Sequence, residues 1–423
     1  MKKLALALAV FGLLVAGQGA QAVIGTVDDV PAATLLLPYF EVDLGATNTI
    51  NTLFSVNNAS ATAVLAHVVV YSDLSVPVLD FNIYLTGYDV QTISLRDILV
   101  NGILPQTASA GQDPGDKISP KGPKSQDINF ASCGGQLPPP ALPASFKQHL
   151  ALSLTGKASP IFGGLCSGRA LGDNIARGYI TVDTVNNCTL RLPSDVNYFI
   201  NDITFQNVLW GDFFYVNSAD LFASGESLVH IEASLTNPLT TTAGRYTFYG
   251  RYVGWNSIDH REPLATTFAA RYVNGGTFDG GTSFVTWRDS KTSQNAFTCP
   301  ATTGRPSWYP LGQEGIDIFD ETEQVETPQS FPFSPQPPQS GIIPFPAEAQ
   351  RTKVNGPDLP TSFDFGWMYL DLNTTITGNP NPPFDPASAQ AWVETNMDSN
   401  GRFSVGWDAL ALDNASAANH FVP

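Results

Sequence analysis

Gly164-Leu165-Cys166-Ser167-Gly168 has the G-x-C-x-G spacing of a nucleophile elbow, in which a thiolate sits at a helix N-terminus that lowers its pKa. Such an elbow needs a buried strand before it and a helix after it. Ser159-Pro160-Ile161-Phe162 is a poor parallel strand, and Arg169 to Ala176 is a poor helix. The chain has four cysteines, Cys133, Cys166, Cys188 and Cys299, none of them in a CxxC pair. In an exported protein an even count reads as two disulfides, with three possible connectivities. The pairing expected is Cys133 with Cys166, closing a Pro-rich excursion on itself, and Cys188 with Cys299. The spacing does not suit zinc.

Among the five histidines, His67 and His230 lie within apolar strand patterns. His260, in Asp259-His260-Arg261-Glu262, has the adjacent carboxylates that a general base uses, and the same charged run reads as a solvated turn. No serine stands in a G-x-S-x-G context, so a serine hydrolase lacks its elbow. In Gly315 to Glu326, Asp317, Asp320 and Glu321 form an oxygen-rich run suited to calcium, the one cofactor suggested. Asp398-Ser399-Asn400-Gly401 opens like a calcium loop, but Arg402 takes the third ligand position. Trp255, Trp308 and Tyr309, beside turns, are candidates for stacking on sugar rings, whereas Trp367 and Trp407, inside strand patterns, read as core. No residue set is assigned a catalytic role.

These residues must be positioned outside the cytoplasm. Lys2 and Lys3, the apolar run Leu4 to Ala16 and Ala20-Gln21-Ala22 make an export signal over residues 1–22, too short in its apolar part to span a bilayer. No Cys follows the cleavage point, which speaks against a lipid anchor. The mature chain is expected to be secreted, in the periplasm, at the cell surface or extracellular, without membrane insertion. A net charge of −17 makes nucleic acid and anionic lipid poor partners and leaves a glycan or another surface protein as the expected ones. Charged residues are only 14%, with 36 Gly and 32 Pro, the profile of strands joined by turns. An outer-membrane barrel shares that profile, but long Pro-rich insertions interrupt this chain.

Thr34 to Asp43, Thr52 to Asn57, Ala63 to Tyr71, Asp80 to Leu85 and Val90 to Leu95 read as a strand meander. Further strands are expected at Gly178 to Thr184, Val208 to Val216, Ser227 to Leu235, Arg245 to Val253, Thr266 to Val273, Thr282 to Trp287, Phe363 to Leu372 and Phe403 to Leu412. Phe146 to Thr155 and Asp195 to Ile203 are expected as short helices. The fold class is all-β: tandem immunoglobulin-like antiparallel β-sandwiches with long Pro-rich loops. Residues 23–240 form the first domain, with a Pro-rich, disulfide-tied insertion near 101–145. Residues 241–423 form the second, with a Pro-rich spacer or strap at 327–360. Alternation places Phe54, Val56, Val68, Val70, Phe81, Ile83 and Leu85 inward, and Ser55, Asn57 and Asn82 on the other side, where Asn82→Ala should cost little.

The stretch LLLPYFEVDL, followed by TLFSVNNASATAVLAHVVVYSDLSVPVLDFNIYLTGYDVQTISLRDIL, resembles a segment found in uncharacterised exported bacterial proteins. The resemblance covers Thr34 to Leu99. It implies export and a β-sandwich, brings no activity, and carries no functional residue over. The function expected is that of a non-enzymatic surface or matrix protein acting in adhesion or carbohydrate binding. The rival is a secreted hydrolase centred on Cys166, His260 or the acidic loop.

Overall fold

The structure is a computed structural model that describes residues 30–45, 49–105, 141–236, 247–253, 258–292, 295–299, 306–327, 343–373 and 390–412. The expected export signal, Cys133, Trp255, most of the first Pro-rich stretch and residues 328–342 of the second lie outside the described residues. The strands build four open, antiparallel sheets of an all-β sandwich architecture, numbered here along the chain.

The first sheet has the order β10 (Val229–Ile231), β1 (Thr34–Asp43), β6 (Ile175–Val185), β3 (Val64–Ser72), β4 (Pro77–Leu85). The second runs β5 (Val90–Ser94), β2 (Ile50–Asn58), β8 (Asp212–Asn217), β9 (Phe222–Ser227), with β7 (Leu209–Trp210) also on β2. The third runs β14 (Val325–Glu326), β13 (Gly315–Asp320), β16 (Phe365–Asp371), β11 (Thr267–Val273), β19 (Leu410–Ala411). The fourth runs β15 (Ala349–Lys353), β12 (Gly281–Arg288), β17 (Ala391–Asp398), β18 (Ser404–Asp408). β1 packs on β2 of the second sheet, and β11 packs on β12 and β17.

Strand alternation explains how the fourth sheet joins everything else. Successive side chains point to opposite faces. Phe284, Ala391 and Val393 enter a core shared with the third sheet. Val285, Trp287 and Ala349 enter a larger core with β1, β3 and β6. The fourth sheet is therefore buried on both faces, and so is the first, since every residue of β3 is buried. This is why β3 reads as a continuous apolar run rather than an alternating one.

Within β1, Pro38 lacks the N–H a ladder needs, and the pairing with β6 shifts between Leu37 and Phe40. Gly178, opposite Phe40, is required there: a Cβ would stand 1.9 Å from the Tyr71 carbonyl and 2.8 Å from the Phe40 ring.

Several expectations are corrected. Arg245 to Val253 does not give a strand: its described part, from Thr247, is a turn leading into a short helix, Gly250–Val253. The acidic run at Gly315 begins as a strand, β13, not a loop. Ala349–Lys353, within the expected spacer, is a sheet strand. The helix at Phe146 is present as Ala144–Ser153. Cys166 pairs with Cys299 across 133 residues, which overturns both proposed pairings; Cys188 is also disulfide-bonded. The bridge forms because Cys166 and Phe297 exchange backbone hydrogen bonds, which places Cys299 beside the 159–168 loop.

The inward set of β2, β3 and β4 is buried as expected, but Asn82 is buried too. Its amide donates to the Thr189 carbonyl at 2.8 Å and accepts from the Thr189 N–H at 3.2 Å, with His67 Nδ1 3.2 Å from the same oxygen. Truncating it leaves buried partners unpaired. Phe81→Ala should cost roughly 3–5 kcal/mol and Asn82→Ala roughly 1–3 kcal/mol, both read as lowered urea midpoints. An Asn82→Ala protein with the wild-type midpoint would remove Asn82 from this network. Peptide mapping without reductant should recover Cys166 linked to Cys299, and Cys299→Ser should cost about 4–5 kcal/mol through loop-closure entropy.

Candidate functional site

The elbow reading fails because its sulfur is spent in the disulfide with Cys299. Asp259-His260-Arg261-Glu262 is not a solvated turn. Asp259 and Arg261 are fully buried, and Glu262 is 4% exposed. Arg261 donates to Thr34 Oγ1 and to the Thr204 carbonyl, and lies 3.6 Å from Asp183 and 3.4 Å from Asp259. His260 instead packs edge-on against Phe205. His149, a candidate base by residue type, meets Ser159, which carried no signal in the sequence; their Nδ1 and Oγ are 2.6 Å apart. Both are buried, at 2% and 0% exposure, and His149 Nε2 faces the Val78 carbonyl, so the pair is sealed from substrate.

The expected calcium ligands are not brought together. Asp317 accepts from Thr327 Oγ1, and Asp320 accepts from the backbone N–H groups of Thr322 and Gln324, closing its own hairpin. Glu321 lies exposed on the turn that follows β13. Among the described residues, no three His, Cys, Asp or Glu side chains are placed to hold a metal ion. Trp308 is no surface platform. It is 7% exposed and packs with Leu74, Val76 and Phe297 in a satellite core beside the Cys166–Cys299 bridge, with Tyr309 against it. The bridge draws this segment onto the first half of the chain.

What the fold does create is a cleft of about 280 Å³ between the two halves. One wall comes from Glu41 of β1, the start of β2, the end of β8 and Phe222 of β9. The other comes from Ser283 of β12, Arg351 and Lys353 of β15, and Asn396 and Asp398 of β17. Arg351 holds the walls together: its guanidinium lies 4.9 Å from the Tyr215 ring centre and 5.7 Å from that of Phe222, and 3.2 Å from Glu41. A planar, delocalised cation suits this stacked and ion-paired position better than an ammonium would.

Glu394, Asn396 and Asp398 alternate along β17 and share the face turned to the first half. Asn396 Nδ2 donates to Glu394 Oε1 at 2.6 Å. Glu394 Oε2, Asn396 Oδ1 and Asp398 Oδ1 are buried atoms without a hydrogen-bond partner among the described residues. A buried acceptor left unpaired costs roughly 1–3 kcal/mol, and three such atoms lie on this one face of β17. Burial pushes the Glu394 carboxyl up to about 7, against the opposing pull of Arg351.

The chain matches no protein-family model, no curated protein and no solved structure. Among the described residues, no helix is long and apolar enough to cross a membrane.

A carboxyl whose native pKa lies above its unfolded value keeps a proton that the unfolded chain releases, so its stabilisation is full at low pH and is lost as pH rises to about 7. Glu394→Gln, which keeps an acceptor and cannot ionise, should melt with the wild type near pH 4.5. It should exceed the wild type by up to a few kcal/mol at pH 7 and hold that lead above it. Parallel melting curves at every pH would place Glu394 in water.

Proposed function

We propose that the protein is an exported, non-enzymatic binding protein of tandem immunoglobulin-like sandwiches, acting at the cell surface or in the extracellular matrix, with a carbohydrate as its ligand. The carrying observation is the cleft between the halves, where buried acceptors on β17 lack protein partners beside a polar wall. Ligand sites commonly combine a preformed concavity with a few placed polar groups. The export signal and the resemblance to exported bacterial proteins support the location, and the all-β architecture with a disulfide suits an oxidising compartment. The rival hydrolase reading loses its nucleophile at Cys166.

The mature chain, labelled and applied to a broad glycan array and to cells, should be retained by a subset of glycans. Absence of binding across both panels would overturn the reading.

A further inference from the structure

Resting on that binding reading, we infer that the cleft takes an uncharged glycan of two or more sugar rings, whose hydroxyl groups donate to Asn396 and Asp398. The argument starts from which groups are already used. On the opposite wall, Asn51 donates its amide to Ser94 Oγ and accepts from the Arg96 N–H. Asn217 donates to Asp220 and accepts from the Ala219 N–H. Arg351 is committed to Glu41 and to two aromatic rings. The buried atoms of the cleft lining still unpaired are the acceptors Asn396 Oδ1 and Asp398 Oδ1, so a ligand that reaches them must bring donors.

Geometry fixes how those acceptors are presented. Asn396 is 2% exposed, and it lines the cleft. Glu394, fully buried behind it, accepts from Asn396 Nδ2 and so holds the amide with Oδ1 turned away from Glu394. Glu394 is thus a positioning residue. Asp398 lies two positions further along the same strand face, on the order of 7 Å away. Gly280 backs it, with the place of a Cβ only 2.5 Å from Asp398 Oδ2, so a side chain there would displace the carboxylate.

The charges select against acidic ligands. Glu41, Asp220 and Asp398 line the cleft, against Arg351, which is already paired, and Lys353, which is exposed at the rim. With Glu41 and Arg351 paired to each other, a uronate or sulfated chain would meet the Asp220 and Asp398 carboxylates against the single ammonium of Lys353. A hydroxyl both donates and accepts, and it brings no charge that must be stripped of water. Two acceptors spaced along a strand lie further apart than the hydroxyls on one edge of a single ring, hence a chain rather than a monosaccharide.

Calorimetry with the full mature chain tests this, using neutral gluco- and manno-hexasaccharides against hexagalacturonate and a heparin hexasaccharide. The neutral probes should bind and the acidic ones should not. Asn396→Ala and Asp398→Ala should each weaken the neutral probes at least tenfold, with Gly280→Ala as an independent displacement of the same carboxylate should either variant fail to fold. If no probe and no arrayed glycan binds, the carbohydrate reading falls and takes this inference with it. If neutral glycans bind the three variants as tightly as the wild type, or acidic glycans win and depend on Lys353, that reading stands and this inference is overturned.

Discussion

One buried charge pair ties the folding of the first half to the entry of the second. Asp183, near the end of β6, is fully buried and accepts from Thr34 of β1, Tyr198 and Tyr249. Arg261 closes the group from the connecting segment, bonding Thr34 and lying against Asp183 and Asp259. Two charges at zero exposure are tolerable only when their hydrogen-bonding capacity is filled, and removing one partner of such a pair typically costs about 3–5 kcal/mol. Residues 247–249 and 258–262 are therefore held against the first half of the chain. The strand expected there gives way to a turn because Thr247 and Tyr249 are drawn to the Asp259 and Asp183 carboxylates.

A second buried cluster repeats the logic at the next junction. Arg251 lies 2.7 Å from Asp289 at the end of β12 and 2.8 Å from Glu348 just before β15. Together the two clusters press the fourth sheet onto the first, so that Trp287 packs against Tyr179 and Phe248. The cleft is a consequence of this arrangement. Toward Trp287 the facing layers fit and exclude water. Toward Asp398 they part, and the same face of β17 that begins with the half-buried Trp392 ends in unpaired acceptors. Arg351 stands where apolar packing gives way to polar cleft.

The all-β class and most strand positions were legible in the residues themselves. Period-two or continuous β-branched runs between turn residues are local signals that survive in any fold. The inward set Phe54, Val56, Phe81 and Ile83 followed from alternation alone. Which chemistry-bearing residues would meet was decided only in three dimensions. Asn82 read as solvent-facing because its strand alternates, yet the first sheet is covered on both faces. Asp259-His260-Arg261-Glu262 read as a solvated turn because charge usually means water, yet its partners Thr34 and Asp183 lie far away in the chain. Cys166 found Cys299 rather than a nearer cysteine because β-bridging brings Phe297 to it. Asn396 carried no motif and Asp398 read only as the opening of a calcium loop, since an unpaired acceptor is defined by what surrounds it. A strand's own pattern depends on neighbours one or two residues away, whereas burial, pairing and a cleft depend on contacts between segments hundreds of residues apart, and those exist only once the sheets have packed.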